Sequence, residues 1–381
     1  QPNAESDRSA TFFALNYNRR PADTTTLVGN LRAGIFMRTA KREVTYSADT
    51  TYYKARQLGA NIKKWLKTGP LNISGKASFN YFFNDENAHS SLKSGNWALI
   101  KTEGKAVFQP VSFVELFGNA AFTKRGGSQQ YLLGANVAVS ILNNLKMSAG
   151  YAVGTRMPSL QELYWQSERA EGNAGLVNEE ISEMHIQLSG NIFSNTSAGI
   201  RTQLKQVGHG IMLVDSTFTN VNAFGSLSST AWFNYNGSLF EFCGSATYHQ
   251  FGNFLKEKEA SFPLDKDGRV WLKAGAYVKG YLFDRATYVK VGLNGIFSPQ
   301  PYRAAHYFTA LDYWQPKSKD ALIPSFHRLD FDLSARIRTI MITLRYENIL
   351  NNVFQQGYFE TANYPMNRRR LIFGIKVLFR N

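Results

Sequence analysis

Few side chains in this sequence have the type and spacing for bond chemistry. His185, His209 and His249 fall in segments with strand-like alternation, and nothing pairs them with a nucleophile. They read as hydrogen-bonded wall residues. No phosphate-cradling glycine loop, zinc-protease helix or C-x-x-C pair occurs. Cys243 is the single cysteine, which excludes an internal disulfide and a cysteine-rich metal site. The expectation is a non-enzyme with no catalytic set, no metal and no cofactor. What the sequence has in quantity is cations and aromatic rings. Lys and Arg number 43 against 28 Asp and Glu, a net charge of +15, and there are 28 Phe and 19 Tyr. A basic surplus suits a solvated surface, anionic lipid headgroups, an anionic ligand or nucleic acid. The basic residues are spread rather than clustered and no nucleic-acid module is present, so nucleic acid is not an expected partner.

The elements that would position these residues are strands. The last stretch, from Phe326 to Asn381, shows it most clearly. Leu329, Phe331, Leu333, Ala335 and Ile337 alternate with Arg328, Asp330, Asp332, Ser334, Arg336 and Arg338. Ile340, Ile342, Leu344 and Tyr346 then alternate with Met341, Thr343, Arg345 and Glu347. Leu371, Phe373, Ile375, Val377 and Phe379 alternate with Arg370, Gly374, Lys376 and Arg380. Successive side chains of a strand point to opposite faces, so each segment is a ribbon with one apolar and one charged face. About 17 such segments run along the 381 residues, averaging about 12 residues, where soluble sandwiches average about 5–6. Tight turns such as Thr68-Gly69-Pro70, Asn143-Asn144 and Asn236-Gly237 alternate with longer polar loops, among them 84–96, 124–130, 156–178, 252–268, 299–324 and 351–367. No run of about 18 apolar residues exists, and mean hydropathy is −0.29. A membrane barrel accommodates all of this, since half of each strand faces water and the long loops gather at one end. The fold class expected is all-β: a transmembrane antiparallel β-barrel.

From Arg156 the sequence reads Arg156-Met157-Pro158-Ser159-Leu160-Gln161-Glu162-Leu163-Tyr164, then Gly172-Asn173-Ala174-Gly175-Leu176, then Glu179, Glu180, Ser182 and Glu183. This resembles the paired R-x-P-S-x-x-E-L-Y and G-N-x-x-L boxes of TonB-dependent outer-membrane receptors. Asn348-Ile349-Leu350-Asn351-Asn352-Val353-Phe354 is similar to the family's segment closing the penultimate strand. Tyr364-Pro365-Met366 with Arg368, Arg369 and Arg370, then the last strand, matches its last loop and strand. The family's barrel has 22 strands and an N-terminal plug. The resemblance therefore implies that residues 1–381 are a partial barrel domain, strands 6 to 22, with the plug and first strands not in this chain. An odd number of spans would put Gln1 at the cell surface, and another polypeptide would supply the missing half.

The resemblance also implies what this barrel does. It would be the barrel part of a receptor importing a scarce nutrient (siderophore, haem, cobalamin or an oligomer) by energy-coupled transport, in the outer membrane of a Gram-negative bacterium. Its partners would be the plug-bearing chain, the TonB system through that chain, outer-membrane lipid and lipopolysaccharide, and a surface lipoprotein. The alternatives are a non-transporting, receptor-derived interaction subunit and a plugless passive porin. Family ligands are held by external loops, so the implied ligand contacts are Tyr164, Trp165 and Arg169 between the two boxes. Tyr302, Arg303, His306, Tyr307, Tyr313 and Trp314 in the longest loop join them, with Tyr358, Phe359 and Tyr364 in the last. Aromatic faces stack on flat or sugar-like ligands, and arginines pair with carboxylates or phosphates. No histidine stands between the two boxes, where haem receptors carry one. Arg328, Asp330, Asp332, Arg336 and Arg338 would form a lumen wall meeting the plug, and Arg156 would brace the loop base.

Overall fold

Alternation becomes strand throughout. The computed structural model describes residues 4–19, 30–46, 49–84, 91–92, 95–168, 170–252, 268–303, 306–308, 311, 313–315, 322–351, 353, 359–361, 364–365 and 368–377. Seventeen strands form one antiparallel sheet. The first eight are β1 (Ala4–Arg19), β2 (Asn30–Tyr46), β3 (Asp49–Thr68), β4 (Leu71–Asn84), β5 (Trp97–Val111), β6 (Val114–Arg125), β7 (Ser128–Leu142) and β8 (Leu145–Arg156). Then come β9 (Glu179–Phe193), β10 (Thr196–Gly208), β11 (Phe224–Asn236), β12 (Phe240–Gly252), β13 (Arg269–Leu282) and β14 (Thr287–Ser298). The last three are β15 (Phe326–Ile337), β16 (Ile340–Glu347) and β17 (Arg370–Val377). Each strand pairs with the next in sequence, from β1 on β2 to β16 on β17. Among the described residues β1 and β17 each pair on one side only, so the sheet has two edges.

The register fixes the two faces. Asp332 lies between Gly292 of β14 and Arg345 of β16, and Tyr277 of β13 lies between Gly292 and Glu241 of β12. Polar rungs like this one line the inner face. The other face carries Leu15, Ile35, Ile62, Phe79, Ile100, Phe122, Leu133, Tyr151, Ile186, Ile200, Phe242, Leu293 and Phe373, all more than a third exposed. Apolar surface of that extent, continuous around a sheet, is lipid-facing surface. Of the residues proposed for the apolar side of the last strands, Val377 is exposed and Leu329 and Phe331 are half-buried, while Phe379 lies outside the described residues. On the inner face Tyr277 lies across Gly292, where any Cβ would meet the ring at 2.6 Å.

Two segments depart from the sequence reading. Residues 124–130 read as a loop by composition, but Arg125 and Ser128 pair, and Gly126 closes a two-residue turn at φ 55°. Glycine takes that left-handed conformation without cost, so the ladder continues on both sides. Residues 200–214 read as one strand. His209 instead adopts φ 51°, β10 ends at Gly208, and Gly210–Val214 turns away to pair with Thr217–Val221.

Candidate functional site

The long connections converge at one end of the barrel and build the only apolar core cluster found among the described residues. Leu92, Trp165, Ala170, Ile211, Leu213, Phe218 and Leu311 come from four connections, and Val44 comes from the end of β2. Tyr53 of β3 meets Trp165 edge-on at 6.2 Å, and Phe218 meets Tyr313 edge-on at 5.5 Å. Both ring pairs belong to this one cluster, and β3 and the β14–β15 connection are far apart around the sheet, so the cluster spans the mouth. It forms a roof. Its framework is a small sheet of Gln166–Ser167, Ala170–Glu171, Thr217–Val221 and Gly210–Val214, with Leu92 bridged to Trp165.

One ion cluster fastens the roof to the rim. A short helix, α1 (Leu160–Tyr164), follows β8. The Ser159 hydroxyl accepts the Glu162 N–H, and the Glu162 carboxylate accepts the Ser159 N–H at 2.6 Å. This reciprocal capping box holds Glu162 in place. Glu162 then receives Arg156 from the end of β8, at 2.9 and 3.1 Å. The same guanidinium donates through Nε to Glu179 at the start of β9. Glu179 uses its other oxygen to accept the Ile211 N–H at 2.7 Å. The Asn173 side chain donates to the Phe218 carbonyl at 3.0 Å. The two sequence boxes are thus a structural clamp, and Arg156 braces the loop base.

A second ion network lines the inner wall beneath. Arg328 bonds Asp330 at 2.6 Å and Glu347 at 3.3 Å, and Arg370 bonds Glu347 at 2.7 Å. Asp330 also accepts the Asn348 N–H at 2.9 Å, pinning the turn after β16. Arg345 bonds Asp332 at 2.6 Å, and Glu241 sits between Lys290 at 2.6 Å and Lys279 at 3.4 Å. These acids are surrounded by cations, which keeps charge on a wet wall affordable.

The aromatic residues read as ligand contacts divide by burial. Tyr164 is 38% exposed. Trp165 is 1% exposed and donates to the Ser167 hydroxyl, which makes it part of the roof core rather than its surface. Tyr302 is 3% exposed, against Trp271 and under Arg269 at 4.8 Å. Tyr313 is half-buried; burial pushes its phenol above the usual range, outweighing a backbone hydrogen bond from Leu213. Arg303, His306, Tyr307 and Trp314 fall in the short strands Tyr302–Arg303, His306–Phe308 and Tyr313–Gln315. Phe359 and Tyr364 fall in Phe359–Thr361 and Tyr364–Pro365. Arg169 and Tyr358 lie outside the described residues. Of the wall residues, Arg328, Asp330 and Asp332 join the network. Arg336 is exposed near the short-turn end and donates to the carbonyl of Arg338, which sits in the turn at φ 52°. The sequence reading missed Glu347, Phe218 and Leu92; only Glu347 had a signal, the alternation of β16.

Among known proteins, a family model described as "Putative porin" matches residues 270–381. No curated protein matches in sequence. The copper transporter OprC superimposes with a TM-score of 0.75 at 12% identity, over 98% of this chain and 65% of that one. The FrpB iron transporter from Neisseria meningitidis gives 0.70 at 11% identity, over 99% and 63%. A double mutant of the Serratia marcescens hemophore receptor HasR, in complex with its hemophore HasA and heme, gives 0.70 at 12% identity, over 99% and 66%. The chain therefore spans between 63% and 66% of the length of these three structures. An outward apolar face, a charged inner wall and these superpositions agree: the chain has the β-barrel fold of the TonB-dependent outer-membrane receptors.

Proposed function

We propose that this chain is the wall and roofed mouth of an energy-coupled outer-membrane importer for a scarce, bulky nutrient: a siderophore, haem, cobalamin or an oligomer. The observation that carries the reading is the roof. Connections from distant parts of the sheet pack into one core, which Arg156, Glu162 and Glu179 anchor to the rim at β8 and β9, and that suits selective capture better than free passage. The ligand would meet Tyr164 and the short strands carrying Arg303, His306, Tyr307, Trp314 and Tyr364. In this reading Trp165, Tyr302 and Tyr313 shape that surface from beneath. Two sheet edges in a bilayer require further strands, and the wall network of Arg328, Asp330 and Asp332 would face a plug coupled to the TonB system. Lipid and lipopolysaccharide would cover the apolar face in a Gram-negative outer membrane.

The test joins two measurements on the protein isolated from the outer membrane. Cells lacking it should lose uptake of one nutrient in this class, and in a planar bilayer it should hold no steady large conductance. Unimpaired uptake with a steady porin-like conductance would overturn the reading. That outcome would support the second one, a passive pore, which the family match over residues 270–381 favours.

A further inference from the structure

Two cations share one rung of the lipid-facing side. From β1 to β7 the ladder sets Arg19, Leu31, Lys64, Gly75, Gly104, Ala120 and Leu133 side by side. Leu133 faces lipid, so Arg19 and Lys64 do too. Both are exposed, and neither makes an ion pair among the described residues. They stand two strands apart, about 10 Å. Lys64 lies a few residues before Thr68, where β3 meets its short turn. A cation on the lipid side is destabilising in proportion to its depth, unless its head reaches an interface or an anion. Beside Lys64 the wall is hollow. A cavity of about 560 Å³ opens on the same side, floored by Gly104, Ala106, Gly118 and Ala120 and walled by Leu133 and Tyr151. Ligand pockets span about 300–1,000 Å³. A Cβ at Gly104 or Gly118 would meet nothing within 4 Å, and one at Gly75 only a backbone oxygen at 3.9 Å. No side chain therefore stands between Lys64 and the cavity.

We propose that this groove on the outer wall of β4 to β8 holds an acyl chain of an anionic phospholipid, whose phosphate meets Lys64 and Arg19. Position and charge select the occupant together. The groove is continuous with the lipid-facing surface, so hydrocarbon is what fills it. The two cations at its edge lie toward the short-turn rim and match an anionic headgroup there. Glycine inside a strand weakens it and marks a place where a ligand comes close to the backbone. A bound chain offsets that weakness by restoring the dispersion contacts that the absent side chains forfeit. The proposal needs only a lipid-facing wall, and it stands apart from import.

Native mass spectrometry tests it on the protein isolated from the outer membrane in mild detergent. Dioleoyl phosphatidylglycerol, dioleoyl phosphatidylcholine or inorganic phosphate is added, and retained lipid is counted. A phosphatidylglycerol should be retained about tenfold more strongly than phosphatidylcholine, as two nearby cations would give. Arg19→Gln with Lys64→Gln should abolish that preference, while Lys64→Arg should keep it. Gly104→Leu with Gly118→Leu fills the groove without a clash. That variant should lose the retained lipid while heat-modifiable migration shows a folded barrel. Equal retention of the two lipids, a preference that survives loss of both cations, or retention in a filled groove would overturn the proposal. So would binding of inorganic phosphate alone, or a dimer of the protein that the filled groove disperses. The cation variants decide the matter even where the filled barrel does not fold. Neither uptake nor conductance enters this readout, so its failure is separable from failure of the import function.

Discussion

Glu179 accepts the backbone N–H of Ile211 at 2.7 Å, and with its second oxygen it takes the Nε of Arg156. One carboxylate therefore couples the barrel rim to the hairpin that underlies the roof. Glu179→Ala should leave Arg156 with Glu162 alone and orphan the Ile211 N–H. Breaking a buried pair of this kind costs about 3 kcal/mol. The loss should appear as faster hydrogen exchange and proteolysis in residues 157–178 and 209–223, with the strands unchanged. Glu179→Gln should have a smaller effect, because its amide oxygen still accepts from Ile211.

Trp165 fills the centre of the roof at 1% exposure. Trp165→Ala should cost about 3–5 kcal/mol locally and loosen the roof without unfolding the barrel. Near-ultraviolet circular dichroism should fall while the far-ultraviolet strand signal holds. Concerted unfolding of both would show that the roof and wall are one cooperative unit.

Leu293 and Asn294 are neighbours on β14 that face opposite ways; Leu293 is 42% exposed on the apolar side. Leu293→Arg should cost about 2–4 kcal/mol if it lies near the bilayer midplane and should impair insertion. Asn294→Arg should be tolerated. Heat-modifiable migration of the folded barrel in lipid compares the two, and equal tolerance would argue against a lipid-facing side.

Asp330 links Arg328 to the N–H of Asn348. Asp330→Ala should destabilise the end of the barrel around β15–β17 by about 2–3 kcal/mol, the cost of leaving charged and backbone groups without partners. A double-mutant cycle with Glu347→Gln should be non-additive, because both acids share Arg328. Denaturation of the reconstituted protein measures it.

The Tyr313 phenol is raised above its ordinary value, chiefly by burial. Its contribution is therefore fully present below the unfolded value of about 10 and is lost as pH rises through the higher folded value. Alkaline titration of tyrosinate absorbance should show a late-ionising component that diminishes in Tyr313→Phe. The roof of that variant should also lose its alkaline sensitivity.

The strands were legible because alternation is a local signal: Asp330 and Asp332 announce an inner face simply by standing two apart between Leu329, Phe331 and Leu333. The rim clamp was legible only as a resemblance, although Ser159 and Glu162 also stand at capping-box spacing. The roof was not legible. Leu92, Phe218 and Leu311 lie in connections without periodicity, and nothing local says that they meet. Trp165 and Tyr302 show the same limit from the other side. A loop aromatic can be a contact surface or the core beneath one, and composition does not distinguish them.

The roof's core brings Val44 and Leu311 together from opposite ends of the sequence. Contacts of such separation wait for the chain between them to be ordered, and closing so long a loop is slow. During biogenesis the opening must therefore stand uncovered while most hairpins enter the membrane, and its cover assembles last. A barrel truncated before β14 and β15 would keep its wall and lose the connection that brings Leu311 into that cover.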